Sequence, residues 1–211
     1  MTAGQLVAVL ALELASKEAT SRTPLEILLI TSAGAAALLL VLAVLSPRLL
    51  RTDLRGLGFR APSPREIRFT LRAALGLWVA SILANLVSIS IFGPNPQPLV
   101  VSFSAHRGLE AIVLDLLTGA VVAPLSEETL YRGIVFAGLA QRVPFLPAAL
   151  ISGLLFAIPH GIGVLAPILV LGTGLAWIYA RTGTLWAPIL AHSLVNAISL
   201  GILFIAGPSI T

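Results

Sequence analysis

The sequence has no cysteine, one methionine and one lysine. Without thiols there is no disulfide, no thiolate zinc or iron–sulfur site and no cysteine nucleophile, so any chemistry falls to oxygen and imidazole groups. Charge is nearly as scarce: 13 Lys and Arg with 9 Asp and Glu make up 10% of 211 residues, where a soluble domain carries about a quarter. That excludes a water-soluble globule, and a hydrophobic content of 57% excludes a solvated disordered chain. With a mean hydropathy of +1.01, the chain reads as an all-α integral membrane protein. A crossing takes about 20 apolar residues, so the length has room for about six to eight spans and no large extramembrane domain.

The net charge of +4 and the pI near 10.7 would suggest nucleic acid in a soluble protein. Here twelve of the thirteen cations are Arg, and half of those stand in one loop. The pattern reads as membrane topology, with no nucleic-acid partner expected. The N-terminus lacks the basic stretch that precedes a secretory apolar region, so it is expected to be retained.

Residues 25–46 form the clearest apolar run, with Glu26 at its edge, and Pro47 ends it. From Pro47 to Phe69 the chain holds Arg48, Arg51, Arg55, Arg60, Arg65 and Arg68 against Asp53 and Glu66, a positive bias that marks a cytoplasmic loop. A second span is expected over 70–92, and Gly-Pro-Asn-Pro-Gln-Pro at 93–98 makes an outer turn. Five shorter runs follow, 108–124, 126–142, 145–160, 164–181 and 184–206, punctuated by Pro124, Pro144, Gly161, Gly163 and Gly183. Residues 3–16 could be an interfacial helix or a short extra span. The expected architecture is a polytopic bundle of about seven to eight transmembrane helices. Its parts are an N-terminal segment 1–24, two spans with the basic loop in 25–107, and a helical core in 108–211. Strict alternation then starts the helix near Ser126 on the cytoplasmic side and ends the 145–160 helix there, placing residues 127 and 160 at one level. Trp78, Trp177, Tyr179 and Trp186 fit an aromatic belt at span ends.

An ionisable group inside an apolar helix costs several kcal/mol on most scales, so each calls for a partner or a task. In Ser126-Glu127-Glu128-Thr129-Leu130-Tyr131-Arg132, Ser126 can cap a helix whose first turn holds the acids. Glu128 and Arg132 are four apart with the acid first, so they can pair on one face. Glu127 lies about 100° further round and lacks that partner, which makes it the candidate for chemistry. Phe156 and His160 are also four apart, as are His192 and Asn196. The latter two could be interhelical packing contacts or a pair of preorganised donors for an oxyanion.

Taken in order on separate apolar helices, Glu127-Glu128-x-x-x-Arg132, Phe156-x-x-x-His160 and His192-x-x-x-Asn196 resemble the motifs of the CAAX prenyl protease and bacteriocin-processing (CPBP) family of intramembrane proteases. The flanking Ala123-Pro124, Tyr131-Arg132-Gly133 and the run from Arg181 to Ile189 are similar to its usual context. The resemblance covers about 108–200. It implies an endopeptidase acting on membrane-associated or CAAX-like, in some relatives prenylated, protein substrates. In it Glu127 and His160 would activate water, His192 and Asn196 would stabilise the oxyanion, and Glu128, Arg132 and Phe156 would support the site. The implied enzyme is glutamate-type and needs no cofactor, with zinc held by Glu127, His160 and His192 as the alternative. Its expected place is the cell membrane, multi-pass, in contact with the lipid bilayer, with the active site near the cytoplasmic side. Readings from other classes are a proton- or ion-coupled transporter using the same buried groups as a relay, and a non-enzymatic membrane immunity protein.

Overall fold

A computed structural model describes residues 23–45, 56–93 and 108–206, and they are all-helical. The 3–16 segment, the first part of the basic loop (47–55) and the turn at 94–98 lie outside them. Among the described residues six helices follow one another: α1 (Pro24–Leu45), α2 (Pro64–Phe92), α3 (Leu109–Ala140), α4 (Phe145–Ala157), α5 (Leu165–Thr182) and α6 (Trp186–Ala206). Four of them, α2, α3, α5 and α6, are long and apolar enough to cross a membrane. Leu71, Leu75, Val79, Leu83 and Leu86 stand exposed along α2, an outward apolar face suited to lipid. The chain is a multi-pass membrane protein.

The helix starts are written in local chemistry. Ser63 accepts from the Glu66 N–H (3.3 Å) while its own N–H donates to the Glu66 carboxylate (2.7 Å), with Pro64 at the first position. This capping box begins α2 six residues before the expected span at Thr70, inside what hydropathy alone reads as loop. Glu66 also pairs with Arg60 (2.6 Å), and Arg60 donates to the Thr182 carbonyl at the end of α5. Gly183 takes the left-handed conformation there (φ 63°) and its N–H closes on the Tyr179 carbonyl, which ends α5.

The expected break at Pro124 does not occur. The runs 108–124 and 126–142 are one 32-residue helix, α3, whose backbone widens to π-helical turns over Thr118–Val122 and Tyr131–Phe136. A π turn absorbs the missing proline donor and lets the helix continue. Ser126 and the two acids therefore sit mid-helix, not at a cap. The Ser126 hydroxyl bonds back to the Val122 (3.1 Å) and Ala123 (3.0 Å) carbonyls.

This fusion removes one helix from the expected seven to eight and reverses every later crossing. The Leu185 N–H donates to the Gly58 carbonyl (2.8 Å) and Thr184 to that of Arg60 (2.6 Å), so the 182–185 corner shares an end with the start of α2. At the other end Ser88 of α2 donates to the Gly163 carbonyl (2.8 Å). Hence α4 runs away from the Arg60 end, and His160 does not share an interfacial level with a helix start at Glu127. The belt reading is also corrected for Trp78, which packs on the core and donates to Ser199 of α6 (3.2 Å).

The core lies where α5 packs between α2 and α4, with Phe156, Leu171, Leu175, Ile178, Ala187 and Ala191 buried together. α4 and α5 approach through glycines: a Cβ on Gly172 would stand 2.9 Å from the Gly153 Cα and 3.0 Å from the Phe156 ring. Close backbone approach through small residues is how helices gain packing energy in lipid. Gly172→Ala is expected to separate α4 from α5 at a cost of about 1–3 kcal/mol. Thermal unfolding in detergent checks this, and an unchanged midpoint would contradict the close packing.

Candidate active site

Arg132 and Glu128, one turn apart on α3, pair Nη1 to Oε1 at 3.0 Å with both side chains fully buried. The second guanidinium nitrogen donates to the Gly172 carbonyl of α5 (2.8 Å), and the group lies 4.7 Å from the centre of the Phe156 ring of α4. The imidazole of His192 on α6 reaches the same Glu128 Oε1 through Nδ1 at 2.9 Å. Four helices thus meet on one ion pair. A carboxylate paired with Arg can only accept, so Nδ1–H is the donor and Nε2 is left for the open side.

That open side holds Glu127. Its side chain keeps 30% exposure where Glu128 has none, and its Oε2 lies 3.9 Å from His192 Nε2. The gap exceeds a hydrogen bond and lies within reach of one bridging water. The 100° step between neighbouring helical residues therefore separates a sealed structural acid from an accessible one.

His160 ends the 3₁₀ turn Ile158–His160, where its Nδ1 meets the Phe156 carbonyl at 2.9 Å and its ring lies 5.0 Å from the Phe156 ring. Phe156 also packs edge-on against His192 (5.7 Å) and Tyr131 (5.2 Å), so one buried ring spaces both imidazoles. Asn196, one turn beyond His192, donates to the Gly119 carbonyl of α3 at 2.7 Å. The structure therefore gathers Glu127, Glu128, Arg132, Phe156 and His192 directly. It attaches His160 through the Phe156 ring and Asn196 through the α3 backbone. The imidazole beside Glu127 is that of His192, and among the described residues His160 makes no ion pair with Glu127.

Sequence reasoning passed over Gly172, whose carbonyl holds Arg132, and Ser152, which donates to the Tyr131 carbonyl at 2.9 Å. The small residues Ser152-Gly153 on α4 and Gly172-Thr173-Gly174 on α5 were the available signal for a close crossing.

A zinc ion held by Glu127, His160 and His192 would need three donors converging at about 2 Å from one point. No such group of three exists among the described residues. The donor set does not fit a metal as it stands.

Residues 109–198, which contain every side chain of this cluster, match the family described as type II CAAX prenyl endopeptidase Rce1-like. The match covers 90 of the 211 residues, and over them the chain is similar to that family. The chain is 35% identical over 89 residues to the "Putative membrane peptidase YdiL" of Bacillus subtilis (strain 168), covering 42% of this chain and 36% of that protein. It is 33% identical over 114 residues to an "Uncharacterized 24.3 kDa protein" of Escherichia coli, covering 51% of this chain and 52% of that one. The chain therefore spans about a third to a half of the length of these relatives. No solved structure matches it.

Removing one member of a buried ion pair leaves the other charged and alone, at a cost of about 3–5 kcal/mol. Glu128→Ala and Arg132→Ala are each expected to destabilise the protein by that order in detergent. Wild-type stability in either variant would show that the pair carries no such load.

Proposed function

We propose that the Rce1-like region is an intramembrane endopeptidase that hydrolyses a peptide bond with water activated by Glu127. The observation that carries this reading is an accessible acid, Glu127, set 3.9 Å from an imidazole whose far nitrogen is anchored to a buried ion pair. Glu127 takes a proton from water, the hydroxide attacks the scissile carbonyl, and the proton passes to the departing amine. His192 donates from Nε2, when protonated, to the tetrahedral oxyanion, and the second amide N–H of Asn196 serves the same oxygen. His160, held at the edge of the cluster by Phe156, shares the proton load with Glu127, as the resemblance implies. Glu128, Arg132 and Phe156 hold the others in register.

The proposed substrates are membrane-associated proteins with CAAX-like C-termini, prenylated ones among them, and the mechanism is the metal-independent, glutamate type. The Arg60 end of the bundle is the cytoplasmic one, because Arg60, Arg65 and Arg68, with Arg142 and Arg181, gather towards it. His192 lies six residues beyond Trp186, about 9 Å along α6 at 1.5 Å per residue, so the site is sunk below the cytoplasmic surface. The bundle we propose has α1 to α6 embedded in the bilayer, with the helices packed around Glu128 enclosing the site.

The test incubates purified protein with prenylated and plain reporter peptides, with and without chelator. Glu127→Ala and His160→Ala are expected to lose cleavage by about 10²- to 10⁴-fold while unfolding at the wild-type temperature. Chelator should leave cleavage intact. Undiminished cleavage by Glu127→Ala would overturn the assignment, and loss on chelation with recovery on added zinc would replace the metal-free mechanism.

A further inference from the structure

In the first wide turn of α3 the Ala123 N–H bonds to the Thr118 carbonyl, five residues back. In that register the next N–H, at position 124, would bond to Gly119. Position 124 is a proline and has none. The Gly119 carbonyl is thus left as a buried acceptor by a missing donor, and the amide of Asn196, from another helix, lies on it at 2.7 Å. In apolar surroundings an unmet carbonyl is costly, so the side chain that meets it is firmly held.

We propose that Pro124 is a positioning residue for Asn196. By withholding a backbone donor, it creates the acceptor that fixes one N–H of the Asn196 amide and leaves the other for the site. Both groups are needed for this: a proline just past a π turn, and an amide two donors wide. Ser126, which covers the Val122 and Ala123 carbonyls, leaves Gly119 to Asn196. The inference rests on the proteolytic reading for its effect on rate, while the hydrogen bond itself can be tested without activity.

The decisive comparison restores and removes the donor at one position. Pro124→Ala returns an N–H that competes for Gly119. Lactic acid in place of Pro124 has the shape of alanine with an ester linkage and no N–H. Pro124→Ala is expected to lower kcat by about 10- to 100-fold with KM within about twofold, because an oxyanion donor is displaced. The lactic acid substitution is expected to restore kcat to near wild type. Independently of activity, Asn196→Ala should lower the melting temperature of the wild type by about 2–6 °C and that of the Pro124→Ala protein by much less. Should Pro124→Ala not fold, the side-chain amide ¹⁵N spectrum of wild type decides, since Asn85, Asn95 and Asn196 are the only asparagines. One Asn196 amide proton should be shifted downfield and protected from exchange.

Equal costs of Asn196→Ala in both backgrounds, an inactive lactic acid protein, or an unprotected Asn196 amide would each overturn the proposal. If wild type cleaves no peptide, the proteolytic reading falls, while the melting cycle still decides the hydrogen bond.

Discussion

The buried Glu128–Arg132 pair is the constraint on which the other contacts depend. Two opposite charges removed from water repay their desolvation through further hydrogen bonds, and while Glu128 Oε2 and Arg132 Nε have no hydrogen-bond partner among the described residues, the other polar atoms of the pair are used. Here the use is architectural: Arg132 takes a carbonyl of α5 and a ring face of α4, and Glu128 takes an imidazole of α6. Each bond that settles the pair also draws one more helix onto α3. The low dielectric that makes the pair costly if broken makes it stiff while intact.

Around this pair α3 is built from unlike segments. A regular octet, Ala123–Leu130, carries both acids and is bracketed by two π turns. Each wide turn yields a backbone carbonyl to a neighbour, Gly119 to Asn196 of α6 and Tyr131 to Ser152 of α4. The octet is therefore clamped at both ends by side chains from other helices, and its rotational setting decides which acid is sealed and which is reached. Irregular turns of this kind concentrate where a helix must present groups to chemistry.

Much of the site was legible because helical spacing is local. Glu128 and Arg132 four apart dictated a pair, and the pair left Glu127 as the acid with a different task; the structure places both as the spacing required. The geometry of the bundle was less legible because it turned on one residue. Pro124 is a helix breaker by propensity, yet in lipid a π turn and borrowed donors carry the helix through it, and the directions of α4, α5 and α6 follow from that single continuity. The early start of α2 was readable in Ser63-Pro64-Arg65-Glu66 and was masked by a hydropathy reading that treats any charged stretch as loop. Apart from Glu128, the hydrogen-bond partners of Arg132 and Asn196 are backbone carbonyls, which no residue type announces; the small residues of α4 and α5 signal only a close crossing.

The most direct measurement of the central claim is the ¹⁵N spectrum of the His192 imidazole in the membrane-embedded protein. The chain has three histidines, and a His192→Gln sample identifies the signal. If the buried ion pair anchors the site, His192 Nδ1 carries a proton held by Glu128 at neutral pH, and the signature is lost in Glu128→Ala. A bare Nδ1, or one indifferent to residue 128, would contradict the account.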